Sequence, residues 1–405
     1  MKRKALSLCS LVLVASLALT SCTIEVNDGL GGENPTVTPQ PTDGILPQGG
    51  TLEGTYTKDL LVKKGNYNIK GVVKIAAGVT LTIEPGAVFT AQSSSSLVIL
   101  QDGKINAQGT ASEPIVFTTA SKTPGDWGGI TIYGKAPIKA ANGNTTAQSE
   151  DGNNLSYGGT DANSNSGVMK FVRVEYAGKK IGDGTSETNS MTFYSVGAGT
   201  ILENLVTYKG TDDGYEFFGG TVSATNIISY GNFDDSFDWQ DGWSGQNNSN
   251  WYAYQTGTGN FGMEIEASGN ADNTAPKISN ISLIRAANTN PESSGSIEIS
   301  AIQFKKQGTG IFSNVYISGY KNIGSQKGYA VLIQDAATET SQLLTNKIKV
   351  DPINYVNSDN AGVWGYGYTP ASVKTFTNAT TVTKVSLTPG AWATVDGVNL
   401  LAGLQ

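Results

Sequence analysis

Two short stretches hold the residues with the clearest chemical potential. Asp212-Asp213-Gly214-Tyr215-Glu216-Phe217 and Asp234-Asp235-Ser236-Phe237-Asp238-Trp239 follow one another at an offset of 22 residues. In extended chain, alternate side chains face opposite ways. With Tyr215 and Phe217 turned inward, Asp212 and Glu216 face outward. Stacking the second stretch on the first puts Asp234 and Asp238 in the same two columns, about 4.8 Å away. Carboxylates at that spacing repel by about 1 kcal/mol per pair even in water. Glu264 and Glu266, on either side of Ile265, extend the ladder.

Three chemistries fit this pattern. One is a solvated acidic face on which Asp213 and Asp235 cap turn amides. Another is a Ca2+ site, because a hard cation takes several carboxylate oxygens; its ligands would be Asp212, Glu216, Asp234 and Asp238. The third is the acid pair of glycoside hydrolysis, with Glu216 and Asp238 in the roles, one of them with a raised pKa. The sequence leaves all three open.

Aromatic residues follow the second acidic stretch. Trp239, at an inward position, is expected in the core. Trp243, Trp251 and Tyr252 lie in or beside a polar insert and are the candidate ligand-binding residues, because flat exposed rings stack on the C–H faces of sugars. Lys305-Lys306 and Lys179-Lys180 are the paired cations near expected strands. They would supply the base of a polysaccharide lyase, or simply guard strand edges against aggregation.

Composition narrows the field. There is no histidine, which excludes Ser-His and Cys-His catalysis and histidine metal sites. The two cysteines, Cys9 and Cys22, both fall in the first 22 residues, so a zinc or transition-metal centre is not expected. The formal charge is −7. Acidic proteins repel phosphate backbones, so no nucleic-acid partner is expected.

These acids need a scaffold that repeats. Asn204-Leu205-Val206-Thr207-Tyr208 and Asn226-Ile227-Ile228-Ser229-Tyr230 precede the two acidic stretches in the same register, and Asn280 and Asn314 open weaker echoes. Fifty glycines, with many β-branched residues, suit short strands and tight turns. A period near twenty without helices is the mark of a parallel β-helix, here of roughly ten to thirteen turns. The fold expected is all-β, a right-handed single-stranded parallel β-helix, with its handedness set by the general rule for parallel crossovers. Polar inserts at 140–167, 178–190 and 246–260 are expected to build a binding surface. From about Thr340 the spacing decays, which predicts a C-terminal cap.

The N-terminus reads as export. Lys2, Arg3 and Lys4 precede an apolar run too short for a confident membrane span, and no stop-transfer pattern follows. Leu19-Thr20-Ser21-Cys22 has the form of a lipobox, so residues 1–21 are expected to be a signal peptide and Cys22 the lipidated residue. Cleavage would take the charge from −7 to about −10. Several acyl chains on one cysteine anchor a protein stably. Thr23 stands where an aspartate would signal inner-membrane retention, which favours lipid-anchored placement in the outer membrane; exposure at the cell exterior is compatible with that placement but does not follow from Thr23. Residues 22–50 are expected to form a tether, and 51–405 the β-helix.

Leu81-Thr82-Ile83-Glu84-Pro85-Gly86, Pro114-Ile115-Val116-Phe117-Thr118, Gly125-Asp126-Trp127-Gly128-Gly129 and the run from Asp234 to Trp243 resemble a family of Bacteroidota lipoproteins. The resemblance covers roughly residues 55 to 400. It implies a right-handed parallel β-helix of the pectin-lyase-like class and an envelope location, and it brings no catalytic residues with it. The expectation from residues and resemblance together is a surface lipoprotein that binds polysaccharide or host glycan or mediates adhesion, without catalysis. The alternative is a carbohydrate-active enzyme, a glycoside hydrolase or polysaccharide lyase, using the acidic ladder.

Overall fold

The computed structural model describes residues 41–182, 186–293 and 298–405. The expected signal peptide, Cys22 and the expected tether up to residue 40 lie outside the described residues. The chain winds as a right-handed parallel β-helix. The strands of the large sheet pair in parallel with those one coil before and one coil after, and three short antiparallel pairs, at 147–157, 180–187 and 394–399, lie outside it; the crossovers take the sense that parallel strand connections adopt.

Three sheets run along the coil axis. Sheet A includes Leu60–Val62, Thr80–Ile83, Lys104–Gln108 and Ile348–Val350. Sheet B includes Val88–Ala91, Ile115–Thr119 and Ile353–Val356. Between these ends single long strands, such as Ile201–Tyr208 and Lys277–Arg285, supply both sheets. Sheet C stacks Ser96–Ile99, Ile130–Tyr133, Met191–Tyr194, Tyr215–Phe218, Phe237–Gln240, Met263–Ile265, Ile302–Phe304 and Val331–Ile333, and ends at Gly365–Tyr366. Sheet A counts ten coils among the described residues.

The long strands bend from sheet A to sheet B at one residue. Asn204, Asn226, Asn250, Asn280 and Asn314 occupy that corner with φ between 54° and 58°. Asparagine tolerates this left-handed conformation better than most side chains. Their amides form a ladder, each donating to the previous one at 3.1, 2.8, 3.1 and 3.2 Å. The asparagines that open the sequence echoes are therefore the corner residues of successive coils.

Inward side chains stack in the bore. Phe193 and Phe217 lie 4.9 Å apart, and Phe89 and Phe117 4.7 Å. All six tryptophans are buried. Leu46 is buried too, and Gly44 and Leu46 bond Leu61, so the folded part begins a few residues before Thr51.

The C-terminus does two jobs. Trp364 and Phe376 pack against the end of the bore. The chain from about 382 then turns back as a strap along the outside of sheet B. Val385, Leu387, Trp392, Val395, Leu400 and Leu401 cover outward residues of that sheet, including Tyr176, Val206, Tyr208, Ile228 and Tyr252. Arg173 donates to the Ala391 carbonyl at 2.7 Å, and Asp396 takes hydrogen bonds from Lys122 and Tyr176. Much of the segment expected to cap an end is thus a lateral cover. Among the described residues no helix is long and apolar enough to cross a membrane.

Candidate metal and ligand site

Sheet C carries the site because its outward positions are polar over several coils. The register pairs Thr192 with Glu216, Glu216 with Asp238, Asp238 with Glu264 and Glu264 with Gln303. Their inward neighbours Tyr215, Phe217, Phe237 and Trp239 fix these strands in the bore. The columns expected from the 22-residue offset therefore exist.

The columns do not lie on an open face. They form the floor of a cleft of about 620 Å³. The insert at 140–167 contributes Glu150 and Asp151, and the insert at 178–190 contributes Lys180, Glu187 and Asn189; Glu292 lines it as well. Asp213, Glu216 and Asp238 are no more than 9% exposed. The expectation of a solvated acidic face is corrected here: inserts without apolar periodicity fold over the floor and desolvate it.

Among the described residues, eleven carboxylates and three lysines line the cleft. One oxygen each from Asp212, Asp213 and Asp234 lies within 4.8 Å of the others, and so does one each from Asp213, Glu216 and Asp238. Two unit charges at that separation repel by roughly 3 kcal/mol in a partly desolvated site. Burial first, and neighbouring carboxylates second, push these groups up. Asp212 reaches about 8, with Asp234 as its main charged neighbour. Glu292 reaches about 7, again with Asp234 beside it. Asp213, Glu216 and Asp238 are all raised well above the usual carboxylate range by burial first and by neighbouring carboxylates second: Asp212 beside Asp213, Asp238 beside Glu216 and Glu264 beside Asp238.

Hydrogen bonds satisfy part of this demand. Asn189 and Gln240 donate to Glu216, the latter at 3.2 Å. Asn260 donates to Asp234. Asp213 accepts from the Asp235 backbone N–H at 2.9 Å, and Asp235 from that of Phe261 at 2.6 Å. These are the turn-capping roles expected of the pair. Asp213 also belongs to both carboxylate groups, which its place in the turn did not signal. Asp238 Oδ1 is buried without a partner among the described residues.

The lysine pair at 305–306 is not an edge guard. Lys305 bonds Glu264, and Lys306 lies 2.7 Å from Glu266. Burial works to lower the Lys305 pKa, but Glu264 and Asp238 outweigh it and hold the ammonium charged. Lys305 is therefore unsuited to act as a lyase base. Lys180 pairs with Glu187 at 3.5 Å.

The expected aromatic platform does not exist. Trp243, Trp251 and Tyr252 are at most 1% exposed. Trp243 and Trp251 fill the bore against Phe217, and their indole N–H groups donate to the Val222 and Ala224 carbonyls at 3.0 and 2.9 Å. Tyr252 faces outward from sheet B but lies under the C-terminal strap. Trp239 is in the core, as its inward position required.

A model of the pectate-lyase-like β-helix domain matches residues 54–394. No curated protein and no solved structure matches the chain.

Proposed function

From the premise that the chain belongs to the pectate-lyase-like β-helix domain family, we propose that it is a Ca2+-loaded glycan-binding lipoprotein, held by Cys22 in the outer membrane with the β-helix facing the exterior. The family fits a carbohydrate-related role. The reading of the site rests on one observation. Among the described residues, carboxylates outnumber lysines by eight in one cleft, and a buried Asp238 oxygen has no partner. Like charges this close need protons or a cation. A hard divalent ion takes oxygen ligands from neighbouring coils without requiring histidine or cysteine. Asp212, Asp213 and Asp234 would hold one ion, and Asp213, Glu216 and Asp238 a second, with Asp213 shared.

The geometry is less suited to catalysis. Glu216 and Asp238 oxygens lie closer than the roughly 6.5–9.5 Å between the carboxyls of an inverting glycosidase. A retaining pair needs one ionised nucleophile, whereas both of these acids are raised. Asp212 and Glu292 titrate near neutrality only through burial and the charges that a cation would neutralise.

Calorimetric titration with Ca2+ tests the metal. We expect uptake and a rise in Tm, with both abolished in Asp213→Asn. Absence of heat and of a Tm shift at about 10 mM Ca2+, above the weakest extracellular range, would remove the reading. For the anchor, Cys22→Ala is expected to move the protein from the membrane to the soluble fraction. A variant that stays with the membrane would refute lipidation there.

A further inference from the structure

A second cavity opens on sheet C beyond the acidic cleft. Its volume is about 530 Å³. Gln303 lies in its wall and is the register partner of Glu264, so the cavity begins one coil, about 4.8 Å, past the acidic floor. Its character is different. Glu298 and Lys327 bring one charge of each sign, and the remaining polar groups are amides and hydroxyls.

Two observations point to a ligand. Gln303 is only 5% exposed, and its Oε1 has no partner among the described residues, while its Nε2 donates to Gln334 at 3.3 Å. A buried acceptor left unpaired costs free energy until a donor arrives. An ionised carboxylate has no donor to give, whereas the hydroxyls of a sugar residue do. The second observation is aromatic. Tyr329 and Tyr366 line the same cavity and are partly exposed. Tyr329 rests against Gly365, where a Cβ would come within 2.2 Å of its ring, so the ring is held in place. A fixed, partly exposed ring beside an amide suits the mixed apolar and hydroxylated faces of a sugar.

We propose that this cavity is a subsite for an uncharged sugar residue, so that the groove along sheet C selects neutral glycans over polyuronates. The choice of neutral sugars over uronates rests on the charge balance. Two divalent ions would still leave the neighbouring cleft with an excess of four negative charges, and an anionic chain would be repelled. The proposal deepens the glycan-binding reading and shares its premise.

The test is calorimetry on the full chain, with and without Ca2+. The probes are cellotetraose, xylotetraose and mannotetraose as neutral tetramers and tetragalacturonate as the anionic one. A neutral tetramer should bind at least roughly tenfold more tightly than tetragalacturonate. Gln303→Leu and Tyr329→Ala should each weaken it by roughly tenfold while Ca2+ uptake is unchanged. Tighter binding of tetragalacturonate, no binding of any neutral tetramer, or full binding by both variants would overturn the subsite. Ca2+ uptake without neutral-sugar binding would defeat this inference and leave the metal reading intact. Neutral-sugar binding sensitive to Gln303→Leu but without Ca2+ uptake would do the reverse.

Discussion

Sheets B and C belong to the same coils, yet their outer faces have opposite characters. On sheet B, Tyr208, Tyr230 and Tyr254 form a column with ring centroids 5.7 and 4.9 Å apart, and an apolar strap covers its neighbours. On sheet C, the column Glu216, Asp238, Glu264 lines a polar cleft. A β-helix stacks like on like, so it amplifies whatever it repeats. Stacked rings gain about 0.5–1.5 kcal/mol per pair beyond the area they bury. Stacked buried carboxylates lose a comparable amount or more until something of opposite charge joins them. One face is covered by the C-terminal strap, and the other keeps an open acidic cleft.

The strongest way to break this contrast is to attack the finished face. Trp392→Ala should cost about 3–5 kcal/mol, as large aromatic truncations do, measured by denaturant unfolding. It should leave Ca2+ uptake unchanged, because the strap and the cleft lie on different sheets. A stable variant would show that sheet B does not depend on its cover.

A second measurement sharpens the charge side. The raised carboxyls of the cleft bind protons more tightly folded than unfolded. Their stabilisation is complete below the unfolded carboxylate range, near pH 4, and is lost as pH climbs through the folded values. Those values include about 7 for Glu292 and about 8 for Asp212. Chelator-treated protein should therefore melt at lower temperature at pH 8 than at pH 5. Saturating Ca2+ should flatten that slope. A metal-free Tm that rises over this interval would contradict the charge crowding.

The smallest effect belongs to the corner the two outer sheets do not share. Asn250→Ala removes two ladder bonds and puts alanine at φ 58°. It should cost roughly 1–2 kcal/mol, read from the denaturation midpoint, and leave Ca2+ affinity unchanged.

Much of the fold and half of the site were legible in the sequence. The 22-residue offset placed Glu216 beside Asp238 because register in a coil is a matter of counting. Glu264 and Gln303 are 39 residues apart, since an insert intervenes, so the pairing of Lys305 with the acids did not show. Asp213 looked like a turn cap and is one, and only proximity in space made it a common member of two acid groups. Trp243 and Trp251 lie beside a polar insert in sequence and inside the bore in space. Glu150, Glu187 and Glu292 come from loops whose composition gives no hint of where they fold.

By itself the sequence determined which residues recur once per coil, and hence which side chains form columns and on which side of a strand they stand. That follows from strand alternation and a fixed period, both local properties. Tertiary structure decided which columns meet water, which meet the strap and which meet other acids. Desolvation and charge crowding depend on segments far away along the chain, so the same outward position is a covered tyrosine on one sheet and a ligand-seeking carboxylate on the next.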